Sequence, residues 1–139
     1  MTVLQRMAIC FAAGVLGALA VILFSHILFG LGLSKKLGVK EPISLKSPDI
    51  YRPLLWGGLW GIPFGIFIDA FWTQLYLYGF LYFLAPLAAL YLIFLPMGGA
   101  GYFGLMKGGP GLTFYLFLVN LPYGIITALV AGGIIGERP

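Results

Sequence analysis

The chain has 139 residues, of which 61% are hydrophobic and only 9% charged, with a formal net charge of +4 and a mean hydropathy of +1.04. Soluble domains carry about a quarter charged residues, so this chain cannot cover a water-facing surface and most of it must face lipid. At this length one small bundle is expected, an all-α polytopic membrane protein in a single domain over residues 1–139.

The first apolar run, Met7 to Leu33, carries no charge. A membrane crossing takes about 20 residues, and a cleavable signal peptide has an apolar core of only about 7–15, so the run is read as a retained span. Cys10 is the single cysteine and excludes an internal disulfide. His26, the single histidine, stands near the far end of this run. One reading has it hydrogen-bonded to a loop carbonyl or a lipid headgroup. The other makes it a haem or pigment ligand, for which bis-histidine ligation needs a second chain.

Residues 34–52 are polar and basic, a loop able to attract anionic lipid as well as to set orientation. The second span is expected over residues 53–70, with Pro53 in the first turn, where a missing N–H is harmless. Within it Gly57, Gly61 and Gly65 are spaced by four, a small-residue face that lets helix backbones approach closely. Asp69 closes this span just before Trp72, Thr73 and Gln74. Tryptophan favours the membrane interface, so Asp69 is placed at the headgroup boundary, against the alternative of a working intramembrane carboxylate.

The link FWTQ (71–74) is so short that the third span, 75–96, must run antiparallel beside the second. The glycine-rich segment 97–111 lacks both the GxxxxGK[ST] and the GxGxxG pattern, and reads as an interfacial loop. The last span, 112–136, holds Asn120, an amide expected to bond across to another helix. It also holds Gly124, Ala128 and Gly132, again spaced by four. Pro63, Pro86 and Pro122 lie inside spans two, three and four and each removes a backbone donor. A short echo links spans two and four. LWGIPFGI (59–66) and PYGIITAL (122–129) both read aromatic–Gly–Ile with a small residue four places after the glycine.

Four spans put both termini on one side. Lys35, Lys36, Lys40, Lys46, Arg52 and Lys107 fall in the two long loops, against Arg6 and Arg138 at the termini. This bias predicts cytoplasmic loops and periplasmic termini. It also explains the basic residues without nucleic acid, which is not expected as a partner. Four acids, one histidine and one cysteine supply no nucleophile–base pair and no metal cluster. No enzyme activity, metal or cofactor is expected. Bound lipid is, and contact with a pigment or quinone stays open.

Small multidrug exporters share the size and span count, but their membrane-embedded first-span glutamate has no counterpart in Met7–Leu33. The motifs of small fluoride channels are not matched beyond Asn120. IYRPLLWGGLWG (50–61) and GLTFYLFLVNLPYG (111–124) resemble segments of small bacterial four-span membrane proteins of unassigned function. That resemblance implies a four-helix fold in a bacterial inner membrane and carries no activity. The leading expectation is an accessory or scaffold subunit on a larger membrane complex, photosynthetic or respiratory, docking through its glycine faces. The alternative is a small oligomeric transporter or channel with Asn120 and Asp69 on its path.

Overall fold

The computed structural model describes residues 1–39, 42–43, 45–99 and 101–137, with backbone alone for 104 and 106–108. Among them every regular element is helical. Helix α1 (Val3–Gly30) opens on a capping box. Gln5 N–H donates to Thr2 Oγ1 at 3.1 Å and Thr2 N–H to Gln5 Oε1 at 2.9 Å, which satisfies two amides that a helix start leaves unpaired. A single turn, α2 (Leu33–Lys36), leads into the connection. Helix α3 (Tyr51–Phe67) follows, then a 3₁₀ turn over Trp72–Gln74 and α4 (Leu75–Leu81). Next come α5 (Leu84–Ala89), a π-helical segment (Leu90–Phe94), α6 (Leu95–Met97) and α7 (Leu105–Ile135), which is broken at Gly109.

Among the described residues three stretches are long and apolar enough to cross a membrane: Val3–Gly30, Trp72–Met97 and Gly109–Ile135. The expected second span is not one of them, because α3 has 17 residues. That is about 25 Å at helical rise, against a hydrocarbon core of about 30 Å. The expected third span is irregular instead of one smooth helix. Pro86 cannot donate to Tyr82 O, and Ala85 N–H takes that carbonyl at 3.0 Å, tightening the turn between α4 and α5. The segment 97–111 is partly helical from Leu105 onward, with Gly109 at φ +65° supplying the break.

Helix α1 is the centre. It packs antiparallel to α3 on one side and to α7 on another, and α7 in turn packs against α4. Glycines make these seams. A Cβ on Gly61 would collide with Cys10 O, one on Gly65 would lie 2.7 Å from Arg6 O, and one on Gly124 would collide with Gly79 O. The sequence echo has a structural counterpart here. Gly61 faces α1 and Gly124 faces α4, each seating the later helix of an antiparallel pair on the earlier one.

Two apolar clusters divide the bundle lengthwise. Cys10, Ala13, Phe64, Ile68, Leu75, Ala128 and Ala131 fill the half nearest the start of α1, called here the terminal half. Val21, Leu28, Phe83, Leu87, Tyr91, Tyr115, Val119 and Tyr123 fill the half nearest the long connections, the loop half.

Candidate functional site

The loop half contains a cavity of about 380 Å³. Its walls are Ala18, Val21 and Ile22 of α1, residues from Arg52 to Trp60 on α3, Pro86, Leu90 and Phe94, and residues from Leu116 to Tyr123 on α7. The space exists because α3 and the α5–π stretch share no small-residue seam. Rings make their contacts: Trp56 meets Phe94 edge-on at 5.2 Å near the mouth, and beyond the chamber Phe64 meets Tyr82, just before α5, at 5.1 Å. The π segment is part of this wall. An extra residue in a helical turn shifts the register of the residues after it, and Leu90 and Phe94, the first and last residues of the segment, both line the cavity.

Tyrosine hydroxyls tie the walls together by donating to backbone carbonyls of facing helices. Tyr123 donates to Gly57 O and Tyr82 to Trp60 O, each at 2.5 Å. Both hydroxyls are therefore satisfied within the protein, as a polar group in an apolar setting requires. Besides Tyr123 and the indole N–H groups of Trp56 and Trp60, the polar side chains on the described lining are Arg52 at the mouth and Asn120 deeper in. Among the described residues Asn120 makes no cross-helix bond of the expected kind. Its Nδ2 donates to Leu116 O of its own helix at 2.7 Å, and the amide stands at the cavity wall.

A backbone clasp closes one corner. Ser25 Oγ donates to Ile22 O at 2.5 Å and accepts from Ile43 N–H at 3.0 Å. His26 Nε2 lies 2.9 Å from Ile43 O. A carbonyl only accepts, so Nε2 carries the proton and donates. Both backbone groups of Ile43 are thus held by adjacent residues of α1, and its side chain joins the cavity wall. A ligand at His26 Nε2 would have to displace Ile43. The sequence singled out His26 but missed Ser25 as its partner and Ile43 as their target; the only hint was a polar Ser-His pair inside an apolar run.

The other candidates lie elsewhere. Asp69 is half-buried in the turn after α3, at the opposite end from Arg52, and does not line the cavity that Asn120 lines. Gly57, Gly61 and Gly65 face α1, while Gly124, Ala128 and Gly132 face α4, so both small-residue faces are occupied inside the bundle. They are not free as an outer docking surface. Among the described residues no three His, Cys, Asp or Glu side chains come together. No protein-family model matches the chain, and no curated protein or solved structure matches it.

Proposed function

We propose that this is a non-enzymatic four-span protein of a bacterial inner membrane, with both termini periplasmic, whose loop-half cavity holds an apolar membrane molecule for a larger membrane complex. The observation that carries the reading is the cavity itself: aromatic and aliphatic walls from four helices, within the roughly 300–1,000 Å³ of small-molecule sites, with few polar groups. Helix irregularities support it too, since Pro86 and the π segment border the cavity and π segments recur at functional sites.

Helix α3 is the fourth span in this reading. It runs along α1 from Gly57 beside Ala18 to Gly65 beside Arg6. Hydrogen-bonded turns flank it at both ends, with Ile50 N–H on Lys46 O and Ala70 N–H on Phe67 O. Sidedness reporters placed before Thr2 and after Ile135 should then sit on the same membrane face; opposite faces would remove α3 as a span. For the cavity, native mass spectrometry of protein extracted in mild detergent should show the chain carrying one small apolar molecule. The chamber-filling change Leu116→Phe should lose it. A bare chain from native membranes, with no molecule regained on adding membrane extract, would overturn the reading. The transporter alternative has weaker support, because Asn120 and Asp69 do not border one cavity.

A further inference from the structure

We infer that the molecule held by the cavity is an anionic amphiphile of the membrane, its apolar chain between Trp56, Trp60 and Phe94 and its carboxylate or phosphate headgroup on the Arg52 guanidinium. The inference rests on the proposed ligand-holding cavity and adds the ligand's chemistry.

Charge is the first argument. Among the described residues lining the cavity Arg52 is the one charged side chain, and no carboxylate faces it from the other walls. Among the described residues no carboxylate of the lining stands against this guanidinium, which matches a carboxylate or phosphate in geometry as well as sign. Depth is the second. Arg52 is the second residue of α3 and exposed, while the chamber runs inward from it to Gly57 and Tyr123. A headgroup at Arg52 therefore lies at the membrane surface with its chain pointing into the apolar interior, the orientation a lipid already has in the leaflet. The third argument is size. About 380 Å³ is near the low end for small-molecule sites, which suits one chain better than a two-chain bilayer lipid.

The walls also provide the assay. Trp56 and Trp60 line the chamber and Trp72 does not, so Trp72→Phe leaves only chamber indoles to report. Full-length delipidated Trp72→Phe protein in neutral detergent is titrated with a dibrominated C18 fatty acid, ionised at the working pH, and with its methyl ester. The two share a quenching chain and differ in headgroup charge. The expected result is saturable quenching by the acid at a concentration at least tenfold lower than by the ester. Arg52→Gln should bring the acid to within about twofold of the ester, while Lys36→Gln, at the same end but off the lining, should preserve the preference. Equal quenching by acid and ester, or a preference lost equally with Lys36→Gln, would overturn the headgroup assignment and leave the chamber reading standing. No saturable quenching by either compound, or quenching unchanged by Leu116→Phe, would bring down the chamber reading itself.

Discussion

In the terminal half, helices meet backbone to backbone: Gly61 on Cys10, Gly65 on Arg6, Gly124 on Gly79. In the loop half α3 and α7 meet residues 83–94 through rings, Trp56 against Phe94 and Phe83 against Phe117, and a chamber opens beside them. Lipid tails are as apolar as leucine, so burial alone gives helices in a membrane little reason to associate; close van der Waals contact does. A pair of helices with small residues at the seam obtains that contact along its length. A pair that meets through tryptophan and phenylalanine obtains it at the ring edges and leaves volume beside them. One chain thus builds a closed grip at one end and a receptive space at the other, by changing residue size along the same helices.

The largest break in this comparison should come from the grip. Gly124→Leu places a side chain against Gly79 O and the backbone at Phe80 and Phe83, none of which can move without separating α4 from α7. Overpacking of this kind costs about 3 kcal/mol or more, read as a large fall in the thermal midpoint in detergent or as loss of folded protein. Gly133→Ala is its control, because a Cβ there meets nothing within 4 Å; its midpoint should stay level or rise. Equal losses in both variants would mean that the seams are not what holds the terminal half together.

A smaller effect sharpens the other side. Ser25→Ala removes the acceptor for Ile43 N–H, a bond worth about 1 kcal/mol. Hydrogen exchange at the Ile43 amide should quicken about fivefold, with the terminal half unchanged. Unchanged exchange at Ile43 would show that the connection is held to the loop half by something other than this clasp.

Much of the architecture was legible because lipid imposes strong rules. Apolar run lengths marked the long helices, and Pro53 and the FWTQ link fell at or near real boundaries. The spacing by four at Gly57 and Gly124 reads as close packing, and in the structure Gly57 meets Ala18 and Gly124 meets Gly79. It could not say whether the partner lay inside the bundle or outside, since a small-residue face reads the same in both cases. The chamber was not legible at all. Its walls come from residues as distant as Ala18, Trp56, Phe94 and Asn120, and no local pattern announces that four helices leave a gap between them. The π segment was hidden for a similar reason: LYLIF is apolar throughout and gives no sign of its register shift. Asn120 was read as glue between helices, but an amide four residues after an available carbonyl can satisfy itself locally.

The central claim is that the loop half is open and the terminal half closed, and two thiols test it in one molecule. Cys10 is fully buried beneath Gly61 in the terminal half, and Asn120→Cys puts a second thiol on the chamber wall. The folded variant is treated with N-ethylmaleimide and mapped by mass spectrometry. The account predicts a single adduct at position 120 while Cys10 stays unmodified until the protein is unfolded. Labelling of Cys10 at a comparable rate, or no labelling at position 120 before unfolding, would contradict it.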